Sequence, residues 1–579
     1  MDRRRFLSTL SAAGAVGWSL TATQGWARAL GGVFESPVPF IDSADVGPQA
    51  QAFAVDDAAT AQHQAAWFPQ SVASGDPKEQ GIVLWTRLAP ESEPAAGGAV
   101  VNWQIATDDA FSNVVLAGAA RAEAAGDFTV KLAIAHSALT GFRTYYYRFI
   151  AQGVASRTGR FKTLPAAEAN PERLRLGYIT CQDYGFGFYN ALARLAEEDV
   201  DYVIHLGDYI YETVDASFQE GSARQLEPLP SGQTVPAGLD DYRYLYRSYR
   251  SDTDLQRLHE RFAMIAIWDD HEFGNDCHGN IHPDNNTGAT TATTPQPDLR
   301  QAANRAWSEY IPADTAFDPA RPWDESIQIY RSFRFGQLAE LIATDERLYR
   351  DGPPCGTDTV GERYATLGCA AREDADRTML GRAQRDWFID AVTGSPARWK
   401  LWANEVMLMQ LKVGELFVNL DQWDGYPAER RHILSTLRDA GTTNLVALTG
   451  DLHTFTAGYL KTDFDNFFEY PVGVELMVGS VTSANLEDQI RAGLNLPSAP
   501  MPADRLGLRA NKLEPAVRLA NPHIRYWNSA AHGYAVLELT EAALTCRYMA
   551  VDTISTPDPG VRELTTFRVY NNLPWLREI

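Results

Sequence analysis

The sequence has no two cysteines at Cys-x-x-Cys spacing, which removes zinc ribbons and thioredoxin-like redox sites. It has no Gly-x-Ser-x-Gly elbow and no Gly-x-x-x-x-Gly-Lys-Ser/Thr loop, so serine-hydrolase and P-loop chemistry lack their residues. Basic residues are scarce relative to acidic ones: 51 Lys and Arg face 74 Asp and Glu, for a net charge of -23. A chain so acidic is a poor holder of DNA, RNA or anionic membrane and a good holder of cations. Beyond the first thirty residues there is no uninterrupted apolar run of about 18 residues, so no stable membrane span is expected. No internal repeat is visible. What remains is an ordinary globular composition, 45% hydrophobic over 579 residues, enough for one large domain or several.

The N-terminus is the one membrane-related segment. Asp2-Arg3-Arg4-Arg5-Phe6-Leu7 is followed by a weakly apolar stretch to Leu20 and by Ala27-Arg28-Ala29, a small-x-small cleavage site. Residues 1–29 resemble a twin-arginine signal peptide. The expectation is export through the twin-arginine translocase to the periplasm or medium, a route that carries folded proteins. Loss of this segment removes four Arg and one Asp and takes the net charge from -23 to -26. The five cysteines, Cys181, Cys277, Cys355, Cys369 and Cys546, are odd in number, so at least one stays outside any disulfide. Cys355 and Cys369 bracket a Gly/Thr-rich segment and are the expected bridge.

Residues 30–66 are rich in Ala, Gln, Pro and Asp without a clear period and read as a surface lead-in. From 67 to 165 apolar residues alternate, as in Val101, Trp103, Ile105 and in Phe128, Val130, Leu132, Ile134, with turn residues between runs. This predicts a β-sandwich of about a hundred residues. After a Pro-rich linker the pattern changes. Short apolar runs at 174–180, 202–206, 264–268, 338–343, 399–403, 445–449 and 474–478 alternate with helical stretches at 187–198, 253–262, 298–309, 382–393 and 428–439. Such alternation predicts a layered α/β domain from 172 to 579, closed by a hairpin of 535–539 and 544–551. Residues 213–240 and 277–297 read as long rim loops.

Four of the apolar runs end in polar clusters: Cys181-Gln182-Asp183, Gly207-Asp208 with Tyr211-Glu212, Asp269-Asp270-His271-Glu272, and Gly450-Asp451-Leu452-His453. Ligands of open α/β sheets gather beyond the carboxyl ends of strands. Carboxylates, imidazoles, a thiol and a phenol converging there read as a metal site, and so many anionic groups point to more than one ion. Asn404 follows a further strand and is a candidate at a similar position. Cys277, His278 and His282 read as loop residues near one of the clusters.

With these motifs in order, the chain resembles the PhoD-like alkaline phosphatases, a branch of the calcineurin-like metallophosphoesterases. Val72-Ala73-Ser74-Gly75-Asp76-Pro77, Val83–Leu88 and Asp345–Arg350 resemble further family segments. The resemblance implies an immunoglobulin-like N-terminal sandwich ahead of a central β-sandwich flanked by helices. It implies ferric iron and calcium. Cys181, Asp208 and Tyr211 match iron ligands, with Asp208 bridging, and Asp270, Asp451, His453 and Asn404 match the remaining slots, their division between metals left open. It implies hydrolysis of small phosphate esters by in-line attack of metal-bound hydroxide, with His271 steadying the leaving oxygen or donating its proton. Arg347 holds phosphate oxygens or forms a structural ion pair with Asp345. Two alternatives stay open: a phosphodiesterase or phospholipase D-type enzyme using the same site, and a non-catalytic, calcium-stabilised binding protein.

Overall fold

Each of the seven apolar runs between 174 and 478 forms a strand: Leu174–Ile179, Tyr202–Leu206, Met264–Ile267, Ala339–Ala343, Trp399–Asn404, Leu445–Thr449 and Gly473–Met477. Continuous apolar runs suit strands covered on both faces, and every residue of Tyr202–Leu206, Met264–Ile267 and Leu445–Thr449 is buried. The computed structural model describes residues 53–89, 98–214, 224, 226–283, 293–356, 363–493 and 514–579. The expected signal peptide and most of the lead-in lie outside them.

The first three strands are mutually parallel, with Val203 opposite Gly177 and Met264, and sit in the middle of a ten-stranded sheet. The other four lie parallel in a seven-stranded sheet, where Leu401 pairs with Leu341 and Val446, and Ala447 with Glu475. The sheets stack face to face. Tyr178 of one donates to the Leu476 carbonyl of the other at 3.3 Å, and Tyr548 to the Thr456 carbonyl at 2.7 Å. Leu176, Leu206, Leu448 and Leu476 share the core between them, each contributing roughly 1.5–3 kcal/mol by leaving water.

All five expected helices form: Asn190–Leu195, Thr253–Arg261, Pro297–Tyr310, Arg382–Gly394 and Pro427–Asp439. Two more appear. Leu239–Tyr249 starts at the end of an expected loop and buries Tyr242, Leu245, Tyr246 and Tyr249, a helical spacing carried by aromatics. Asp57–Trp67 makes the end of the lead-in helical, capped by Asp56, whose Oδ1 accepts from the Ala59 N–H at 2.9 Å. None of its residues is buried, so its sequence has no apolar period to read.

The alternating N-terminal runs are strands, but they do not all stay together. Ala99–Ala106, Val114–Ala122, Thr144–Ala151, Val154–Ala155 and Gly159–Lys162 make a five-stranded sheet. Val72–Lys78, Gly81–Arg87 and Thr129–Ala135 instead extend the ten-stranded sheet, Gly75 pairing in parallel with Met264. A covalent clamp joins Cys355 to Cys369, with Cα atoms 5.6 Å apart, while Cys181, Cys277 and Cys546 are free and buried. Among the described residues no helix is long and apolar enough to cross a membrane.

Candidate metal centre

The carboxyl ends of the parallel strands in both sheets meet at one place. Contact there is so close that a Cβ on Gly450 would stand 2.5 Å from Thr180 Oγ1. Four positions leave the strands in left-handed backbone: Cys181 (φ 58°), Asp208 (φ 56°), Asp451 (φ 62°) and His453 (φ 52°). For side chains other than glycine this conformation costs on the order of 1 kcal/mol each, and such residues concentrate at functional sites. The turns bring one ligand atom each from Cys181, Asp208 and His453 within 4.8 Å of one another, all buried. Tyr211 joins them. Its hydroxyl donates to Asp208 Oδ2 at 2.9 Å and lies 3.2 Å from His453 Nε2.

Beside this group, Asp208, Asp270 and His271 form a second set within 4.8 Å, and Asp269, Asp270 and Asp451 a third. His271 packs against the Tyr211 ring with centroids 4.0 Å apart and the planes tilted by 30°, and its Nδ1 lies 2.6 Å from Glu212 Oε2. Glu272 ties the turn together by accepting the main-chain N–H groups of Asp208, Tyr209 and Asp269.

Arg347 has no exposed side-chain surface. It binds Asp269 at 2.5 Å, Asp421 at 2.6 Å, Asp451 at 3.0 Å and Asp270 at 3.4 Å. The expected ion pair with Asp345 does not form: Asp345 accepts the main-chain N–H groups of Arg347 and Leu348 instead. Its guanidinium therefore serves as counter-ion to the aspartates. Asn404 is also buried, and its hydrogen bonds are with Trp423 Nε1, the Val406 carbonyl and Thr449 Oγ1, none of them a member of the acidic groups.

Several residues of the centre were not singled out from sequence. Asp421 sits between Arg347 and Arg350. Asp276 joins Asp270 and Asp421 in a fourth group within 4.8 Å. Gln422 Nε2 donates to Asp451 Oδ2 at 2.5 Å. Glu212 and Asp269 stood inside recognised strings; Asp421 had no local signal, because it follows a short strand of a separate three-stranded sheet. Cys277 and His282, read as loop residues, are buried beside the cluster: Cys277 Sγ lies 3.7 Å from the Asp270 carbonyl and His282 Nε2 3.7 Å from Glu212 Oε1.

The electrostatics describe a site with excess negative charge. Burial, with Asp270 and Asp451 adding to it, pushes Asp208 up to about 7. Burial also raises Asp451 to about 6, against Arg347. The Cys181 thiol is pushed far up by burial and by Asp208. Burial works against a charged His271, but Glu212, Asp208 and Asp270 outweigh it and hold the imidazole well above its usual value. His453 is held down to about 4 by burial. The donor set fits cations: a thiol, a phenol, imidazoles and carboxylates in mutual reach, with Asp269 Oδ2 buried and without a hydrogen-bond partner.

The model of the PhoD-like phosphatases matches residues 176–548, and that of the PhoD-like phosphatase N-terminal domain matches residues 52–165. The chain belongs to the PhoD-like phosphatase family. Alkaline phosphatase D of Bacillus subtilis (strain 168) is 30% identical over 529 residues, which is 88% of this chain and 82% of that protein. A solved structure of PhoD superposes with a TM-score of 0.75 at 28% identity, covering 88% of this chain and 92% of that one. PhoD-like phosphatases are hydrolases of phosphoric esters, and the mixed α/β architecture with its N-terminal strands is theirs.

Proposed function

We propose that the chain is an exported, metal-dependent alkaline phosphatase of the D type that releases phosphate from small organic phosphate esters. The observation that carries this reading is the buried Cys181–Asp208–His453 group standing beside Asp269, Asp270 and Asp451. A thiolate and a phenolate suit a strongly acidic, redox-capable metal, and the carboxylates suit calcium. The reading therefore assigns Cys181, Asp208, Tyr211 and His453 to ferric iron. Asp208, Asp270 and Asp451 would hold calcium, with Asn404 as a further oxygen. When bound, such cations neutralise phosphate charge and acidify water.

The chain's own residues do the rest. His271, with 13% of its side chain exposed, is one of the two partly open members of the cluster, with Asp451. Its Nδ1–H is engaged by Glu212, leaving the Nε2 proton for the leaving oxygen. Arg347 spaces and neutralises aspartates rather than gripping phosphate. The same reading divides the chain into an N-terminal domain of 67–165 and a catalytic domain of 172–579, where the two family matches run over 52–165 and 176–548.

The test is turnover of a chromogenic phosphomonoester and a phosphodiester by protein of measured iron and calcium content, with and without added calcium. Calcium-stimulated release from the monoester is the expected result. Preference for the diester moves the assignment to a phosphodiesterase, and turnover of neither leaves a binding protein.

A further inference from the structure

Asp270, shared by three of the four acidic groups, is held from a side that none of the sequence motifs reach. Its Oδ2 accepts the main-chain N–H of Asp276 at 2.7 Å. Asp276 is itself buried and sits in left-handed backbone, φ 54°. Its carboxyl meets the Tyr364 hydroxyl, which stands 2.9 Å from both oxygens, and Arg363 Nε lies 3.2 Å from Oδ2. Tyr364 belongs to the strand Tyr364–Thr366, which pairs antiparallel with Leu416–Asn419, Tyr364 opposite Asn419. The partner strand runs directly into Asp421, whose N–H is held by Asn419 Oδ1 at 2.7 Å. Three residues beyond Thr366, Cys369 is bonded to Cys355. A small sheet outside the main layers thus delivers Tyr364 to Asp276 on one strand and Asp421 to Arg347 on the next.

We propose that Tyr364 is a positioning residue of the metal centre: its hydroxyl fixes the Asp276 carboxyl, and the Asp276 main-chain N–H in turn fixes the orientation of Asp270. This rests on the phosphatase reading for its effect on turnover, though not for its effect on cation binding. An unanchored Asp270 rotates among several orientations and must be ordered each time a cation arrives. A carboxylate already bonded through one oxygen presents the other ready-placed. Burial raises the Tyr364 phenol well above its ordinary value, so the hydroxyl keeps its proton and remains a donor.

The experiment uses full-length, metal-loaded enzyme and the variants Tyr364→Phe, Asp276→Ala, Asp276→Asn and the double variant Tyr364→Phe/Asp276→Ala. Turnover of a chromogenic phosphomonoester is read as kcat and KM separately, and calcium binding to chelated protein by calorimetry. Tyr364→Phe is expected to weaken calcium binding about tenfold and lower kcat about tenfold at unchanged KM and melting temperature. The double variant should be no worse than Asp276→Ala alone, because both changes cut one chain of contacts. Asp276→Asn, which keeps an acceptor for the hydroxyl, should retain at least a third of kcat. Calcium affinity and kcat of Tyr364→Phe within twofold of the parent overturn the proposal, as do losses that add in the double variant. Should Tyr364→Phe fail to fold, the contrast between Asp276→Asn and Asp276→Ala decides: equal losses in both overturn it. If the parent itself turns over no ester, the phosphatase reading fails and the calcium titrations still decide the role of Tyr364.

Discussion

The Nδ1 atom of His453 lies 2.5 Å from the carbonyl oxygen of Ala484, and this bond decides which nitrogen of the ring meets Asp208 and Cys181. With Nδ1–H donated to the main chain, Nε2 carries the lone pair on the side of the Tyr211 hydroxyl. Burial keeps the ring neutral down to about pH 4, so it meets a cation without shedding a proton. Asp208, with a value near 7, and Asp451, near 6, do not share this readiness.

That contrast predicts how chelated protein responds to pH. Asp208 and Glu475, each raised to about 7 by burial, hold protons in the folded state at pH 6.5 that the unfolded chain has lost. His453, held down in the fold, carries part of a proton near pH 6.5 only in the unfolded chain and opposes this slightly at the low end of the window. His271, raised in the fold, works in the same direction as the carboxylates. Folded protein therefore binds more protons than unfolded protein, and its stability falls as pH rises from 6.5 to 8.5. Urea unfolding after chelation should show a loss on the order of 2 kcal/mol across this window. Saturating calcium should remove the share contributed by Asp208 but not that of Glu475, which is bonded to Leu408, Met409 and Thr449, and calcium binding at pH 6.5 should release protons into the buffer.

Tyr211 separates iron from a purely calcium centre. Its hydroxyl touches Asp208 and His453 while its ring packs against His271. Phenolate bound to ferric iron absorbs visible light, so concentrated enzyme should be coloured. Tyr211→Phe keeps the packed ring and the fold, and should fade or shift the colour and lower turnover by at least tenfold, read by absorbance and by assay. An unchanged spectrum and rate would leave the site to calcium or another divalent ion.

Arg347 faces four aspartates with its side chain fully buried. Removing one partner of a buried ion pair costs about 3–5 kcal/mol. Arg347→Met should lower stability by that order in urea unfolding of the chelated protein, with part of the loss recovered when calcium is added. Arg347→Lys keeps the charge but not the forked donors, and should fall between Met and the parent.

The Cys355–Cys369 bridge closes a short loop. Chain-entropy reasoning assigns about 3 kcal/mol to a loop of this length. Cys355→Ser with Cys369→Ser should lower stability by up to that amount, measured with Cys181, Cys277 and Cys546 unaltered. Mass mapping without reductant should find those three cysteines unbridged.

Export is testable on the N-terminal residues. Arg3→Lys with Arg4→Lys should leave precursor in the cytoplasm of an expressing cell, seen by fractionation and blotting. Unchanged yield outside the cytoplasm would end the twin-arginine assignment.

Sequence alone determined the elements whose cause is local. Tyr202–Leu206 and Leu445–Thr449 begin and end where their apolar runs do, because a strand buried on both faces accepts little else. The polar residues that stop such runs, Asp208, Asp270 and Asp451, stand at strand ends for the same reason; parallel pairing brings Asp208 and Asp270 to one end of their sheet, and only the stacking of the two sheets brings Asp451 to them. Only the tertiary structure decided the pairings between distant segments. Val72–Lys78 could have closed a separate sandwich, but the exposed edge of Met264–Ile267 offers a parallel partner that alternation in sequence does not announce. Arg347 passes over Asp345, two residues away, for aspartates up to 104 residues distant, since its side chain leaves the strand end toward the centre while Asp345 turns back to cap the chain. Tyr364, which holds the Asp276 that anchors Asp270, comes from a disulfide-bounded strand with no motif. Hydrogen bonds to a carboxylate require a donor at the right place in space, and nothing in the local sequence around Tyr364 encodes what will stand opposite its hydroxyl.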